Sequence, residues 1–171
     1  MARFHYERGK FPSQAERYFD FADLDPFFCE DVIHVIYGNE WESVLIEDGQ
    51  HAYLHILEPC PIADTGLYDI EPLIGYAGPL SNTIDREFLK QALQEYSSFC
   101  SERKIIAELV RFNPHLRNHV ALIGVNPKLR FVENKPIAYL PVSTDDQMML
   151  STYSHKCRNM VRTGQSHYDI R

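Results

Sequence analysis

A long amphipathic helix that runs with almost no connection into an apolar strand is the feature that most constrains this chain. Between Asp85 and Arg103, the residues Phe88, Leu89, Ala92, Leu93, Tyr96 and Phe99 recur at helical spacing, with Ser81, Asn82 or Thr83 available as a cap. Ile105-Ile106-Ala107-Glu108-Leu109-Val110-Arg111-Phe112 follows at once. A run this apolar reads as a strand covered on both faces, and Pro114 stops it. Taken with the rest of the chain, the order helix, strand pair, strand, turn, long helix, buried strand, short strands and helix describes a mixed α/β or α+β layer.

Other elements fit around that pair. The start, to about Ser13, is polar and mixed in charge and reads as loosely held. Asp25 to Tyr37 reads as one helix with Asp25 as cap, Pro26 in the first turn and Gly38 at its end; Phe28, Val32, Val35 and Ile36 share a face. Trp41 to Glu47 and Gln50 to Leu57 flank Asp48-Gly49 and read as a hairpin with a two-residue turn. Tyr68 to Leu73 reads as a third strand running into a Gly/Pro turn. Arg130 to Val132 and Ile137 to Val142 read as short strands on either side of Glu133-Asn134-Lys135-Pro136. A last helix is expected from Asp145 or Asp146 to about Arg162.

Composition narrows the function classes. A net charge of -7 argues against a broad grip on nucleic acid, although it leaves room for a local basic site. No apolar run approaches the roughly 20 residues that span a bilayer, and the first residues lack a signal-peptide core, so a cytoplasmic location is expected. Cys29, Cys60, Cys100 and Cys157 are scattered without a C-x-x-C pair and read as free thiols. His155 and Cys157 are two apart, and His115 and His119 are four apart, but neither pair has the further ligands a metal needs, and none is expected.

Three places carry candidate chemistry. Ile74-Gly75-Tyr76-Ala77-Gly78-Pro79 is a turn whose glycines permit close approach of a ligand and whose Tyr76 could stack or donate; a plain strand-to-helix connection is the bland alternative. Glu108 and Arg111 interrupt the apolar strand, three apart and therefore on opposite faces, so each needs a partner on another element or a place at a cleft. Arg111 precedes Asn113-Pro114 at the strand end, where α/β layers commonly bind ligands. Arg158 and Arg162 share a helix face with Lys156 roughly opposite, a basic patch that an anion or the chain's own carboxylates would answer. No serine or cysteine stands in a nucleophile motif, and no dinucleotide or Walker-type glycine loop is present.

The turn from Ile74 to Asn82, the helix after Asp85, Arg111-Phe112-Asn113-Pro114-His115, and Lys156, Arg158, Asn159 and Arg162 occur in one order. In that order they resemble the FemAB-like branch of the acetyltransferase superfamily, with Ala77 in place of a glycine common in the turn. The resemblance implies an acetyltransferase-like (GNAT-type) domain over residues 1–146. Residues 147–171 would then be the opening helix of a second, truncated one. It implies transfer of an acyl or aminoacyl group from acyl-CoA or an aminoacyl-tRNA to an amine of a cell-wall precursor peptide or sugar acceptor. The reaction would proceed by positioning and oxyanion stabilisation without a covalent intermediate. By resemblance Tyr76, Gly78, Arg111 and Asn113 line the acceptor side, and Lys156, Arg158 and Arg162 face phosphates; the catalytic residues are left open. No cofactor is expected to be held by this half, which would be inactive alone. The alternative is a non-catalytic binding or scaffold module that keeps the fold. Either way Met148, Met149, Leu150 and Tyr153 on the terminal helix are expected to promote self-association.

Overall fold

The computed structural model describes residues 2–71, 75–133 and 145–167. They form a mixed α/β fold divided into two compact units, residues 1–133 and 134–171.

In the first unit, β1 (Arg3–Arg8), β2 (Glu42–Glu47), β3 (Ala52–Leu57) and the two-residue β6 (Leu80–Ser81) form an antiparallel sheet in the order β1-β2-β3-β6. A second sheet has the order β4-β5-β7, with β4 (Pro59–Pro61) antiparallel and β7 (Ile105–Glu108) parallel to β5 (Tyr68–Ile70). The helices of this unit are α1 (Glu30–Tyr37) and α2 (Arg86–Glu102).

Period-two alternation in β2 and β3 creates two cores. Val44, Ile46, Tyr53 and Leu57 meet Phe88, Leu89, Ala92, Leu93 and Tyr96 of α2, together with Ile70 and Ile105. Leu45, Ala52, Leu54 and Ile56 meet Trp41, Ala15, Phe28 and Ile33 on the other side. Every residue of β2 and β3 is consequently buried, as central strands between two layers must be. Each large apolar side chain so placed contributes about 1.5–3 kcal/mol.

Several expectations from sequence are corrected. The start is not loose: β1 is an edge strand in register with β2 from Arg3↔Glu47 to Arg8↔Glu42. Its charged residues disguised it, and charge suits an edge. The first helix is split, because Pro26–Phe28 forms a 3-10 turn capped by Asp25 before α1 begins. Ile33 is the residue α1 buries, whereas Val35 is 87% exposed. The hairpin loop holds four residues, Asp48 to His51, since Glu47↔Ala52 is the last pair. Asp48 itself sets this loop, its carboxylate accepting from Gln50 N (2.9 Å) and His51 N (2.7 Å). Asp85 caps α2 through Glu87 N and Phe88 N, rather than Ser81, Asn82 or Thr83.

The strand in the apolar run after α2 ends at Glu108, with one further backbone hydrogen bond from Leu109 N to Ile70 O at 3.0 Å, and lies at a sheet edge. Ile106 and Leu109 are 61% and 62% exposed, so this strand is not covered on both faces within the described residues. Residues 130–132 form no strand. The strand expected at 137–142, the Glu133–Pro136 turn beyond residue 133, and the end of the third strand at Leu73 lie outside the described residues.

In the second unit, the single expected helix is two. Asp145 caps α3 (Asp146–Thr152), and α4 (His155–His167) starts after a break at Tyr153 and Ser154. Ser154 accepts from Cys157 N through its hydroxyl, and a serine at that position favours a fresh helix start.

Candidate functional site

The turn after β5 is built by close approach. Gly75 has φ +93°, and a Cβ there would stand 2.2 Å from Cζ of Phe27. Gly78 has φ +67°, and its Cβ would meet Phe112 Cδ1 at 3.1 Å and both Val110 Cγ1 and Asn118 Nδ2 at 3.2 Å. Glycine is favoured at both positions, because a side chain there would be strained by the left-handed backbone and would have to displace these neighbours. Between them Ala77 is buried and Tyr76 is 41% exposed.

Two asparagines lock this turn to the segment after β7. Asn113, 1% exposed, accepts from His115 N (2.9 Å) and Leu116 N (3.0 Å) through its own carboxamide. Its backbone N–H donates to Asn118 Oδ1 at 2.9 Å. Asn118 Nδ2 then donates to Ala77 O (2.7 Å) and Pro79 O (3.0 Å), spanning some 40 residues of chain. Arg117 adopts φ +53° just before it, a conformation that turns Asn118 back onto the glycine turn.

Of the residues expected on the acceptor side, Gly78 and Asn113 therefore lie on one clamp, with Tyr76 exposed in the same turn. Arg111 is exposed, and pairs with no carboxylate among the described residues. It is flanked by Val110 and Phe112, the residues that close on Gly78. Asn113 is occupied in shaping the backbone, with its side-chain oxygen spent on two amides.

Glu108 has the partner on another element that its burial demanded. His55 Nε2 lies 2.6 Å from Glu108 Oε1, and Tyr96 Oη donates to Oε2 at 3.1 Å. Tyr53 Oη is 2.7 Å from His55 Nδ1, and the Tyr96 ring stacks on the imidazole at 4.5 Å. Burial first, and the Glu108 charge second, push the Tyr53 and Tyr96 hydroxyls well above their ordinary 10. Burial likewise pushes the Cys100 thiol up to about 11, which marks it as a packed side chain rather than a nucleophile.

The residues expected to face phosphates, Lys156, Arg158 and Arg162, lie in the second unit. Arg158 donates to Tyr153 O at 2.6 Å, which fastens the break between α3 and α4. Lys156 lines a shallow groove with His155, Asn159, Met160 and Thr163, and Arg162 is exposed. No carboxylate occurs within α4. Among the described residues no group of three metal-ligating side chains exists, and no helix is long and apolar enough to cross a membrane.

Asn118 and the Tyr53-His55-Tyr96 set went unnoticed in the sequence. His55 shares a face with Tyr53 in a strand whose other residues are apolar, and that was the available signal. Asn118 gave none beyond its place after Asn113-Pro114. No family model, no curated protein and no solved structure matches this chain.

Proposed function

We propose that this chain is the acceptor-binding part of an acyl- or aminoacyl-transferase with an acetyltransferase-like fold, acting on an amine of a cell-wall peptide or sugar. The observation that carries the reading is the Asn118 clamp. It joins the Gly75–Pro79 turn to the Arg111–His115 segment, the two stretches of the first unit whose motifs resemble that family. Tyr76 and Arg111 are exposed beside this clamp, as substrate-contacting residues must be. The basic α4 supports a second role toward the phosphates of a coenzyme A or tRNA donor, through Lys156, Arg158 and Arg162.

The test is calorimetric titration with a soluble cell-wall precursor pentapeptide bearing a free lysine amine. Saturable binding is expected, weakened about tenfold or more in Arg111→Ala, as losing a charge-assisted contact implies. An unchanged melting temperature would show that the variant is folded. Absence of binding to the wild-type chain would sink the reading.

A further inference from the structure

We infer that the backbone N–H of Gly78 is a substrate-facing donor for a carboxylate oxygen, and that Asn118 is the positioning residue that aims it. The inference rests on the acceptor-binding reading above and names the group of the acceptor that is held.

All described peptide bonds are trans, so each N–H points opposite to the carbonyl of the same peptide group. Ala77 O and Gly78 N belong to one such group. Asn118 Nδ2 draws Ala77 O toward itself at 2.7 Å, which turns Gly78 N–H away from Asn118. Pro79 O is drawn to the same nitrogen at 3.0 Å, and Pro79 has no N–H to compete. Gly78 N–H has no acceptor among the described residues, and Gly78 is half-buried rather than freely solvated. A carbonyl that already accepts a hydrogen bond polarises its own amide and makes it a stronger donor.

The surrounding charge selects the ligand. The segment from Val110 to His119 packs on the turn through Val110, Phe112 and Asn118, and it carries Arg111 and Arg117 with no carboxylate of its own. Both arginines are exposed, and among the described residues neither forms an ion pair. A donor without a partner, on a turn packed against a segment whose only fixed charges are positive, suits an anionic oxygen.

The experiment is amide-resolved NMR of the intact chain, titrated with sodium acetate against sodium chloride at equal ionic strength. The Gly78 proton is expected to move downfield and saturate with acetate and to stay put in chloride. Asn118→Ala is expected to abolish that response while the amides of β2 and β3 keep their positions. Hydrogen exchange of the wild-type chain gives a second reading that needs no variant: Gly78 N–H is expected to exchange far faster than the amides of β3. Slow exchange at Gly78, or an acetate response no larger than that of other surface amides, overturns the proposal. A response that survives in Asn118→Ala removes the positioning role. Because acetate reports on the amide alone, pentapeptide binding that persists without a Gly78 response would defeat this inference and leave the acceptor-binding reading standing.

Discussion

His55 and Glu108 hold each other across the two sheets of the first unit, with His55 Nε2 2.6 Å from Glu108 Oε1. A carboxylate only accepts, so Nε2 must be the donor, and Nδ1 is then free to accept from Tyr53 Oη at 2.7 Å. Tyr96 closes the remaining side from α2. Each polar atom named here has its partner, which is what lets a histidine that is 3% exposed sit in an apolar layer.

Removing His55 is expected to be expensive. His55→Ala leaves Glu108 without its closest donor and the buried Tyr53 hydroxyl without its acceptor, at a cost of about 3 kcal/mol. Urea denaturation with an unchanged slope would read this directly. A loss below about 1 kcal/mol would mean that water or another group replaces the imidazole.

Acid should loosen the attachment of β1 through Glu47. The Arg3 guanidinium, assisted by Tyr18, His5 and the Gly49 amide, holds this carboxyl down at about 2, against an ordinary 4.5. A depressed carboxylate contributes stability that is fully present above the unfolded value and is lost as pH falls through the folded one. The contribution is therefore expected to fade between about pH 4.5 and about pH 2. Thermal melts of wild type and Glu47→Gln should converge over that window and diverge above it. Parallel curves from pH 6 to pH 2 would refute the assignment.

Gly75 and Phe27 make a reciprocal pair. Gly75→Ala places a methyl inside the Phe27 ring position on a left-handed backbone, and a loss of about 2–3 kcal/mol is expected. Phe27→Ala in the same chain should recover the steric share but not the backbone share. A double-mutant cycle measures the coupling, and strict additivity would show that the ring swings aside at no cost.

Much of the layer order was legible in the sequence because it depends on periodicity. The apolar spacing of α2 and the largely apolar faces of β3 are written in neighbouring residues and survive folding unchanged. What escaped was long-range. β1 looks polar because an edge strand exposes its side chains, and its identity depends on Glu47, 44 residues away. Ile106 and Leu109 read as interior because apolarity alone does not say whether a covering element is supplied. At the candidate site the glycines announced themselves through their own conformational freedom. Asn118 did not, since an asparagine that braces a turn has no local pattern distinguishing it from one in solvent.

The register of β1 against β2 has a consequence for how the chain is made. During synthesis the strand at Arg3–Arg8 leaves the ribosome well before its complement, which ends at Glu47. For the whole of that interval it is a template without a copy, exposed on both edges. The β2-β3 hairpin, joined by four residues, can close as soon as Leu57 emerges. The β1 residues are thus recruited backwards onto a hairpin younger than themselves, and conditions that slow elongation between those points lengthen the time in which a foreign strand can take their place.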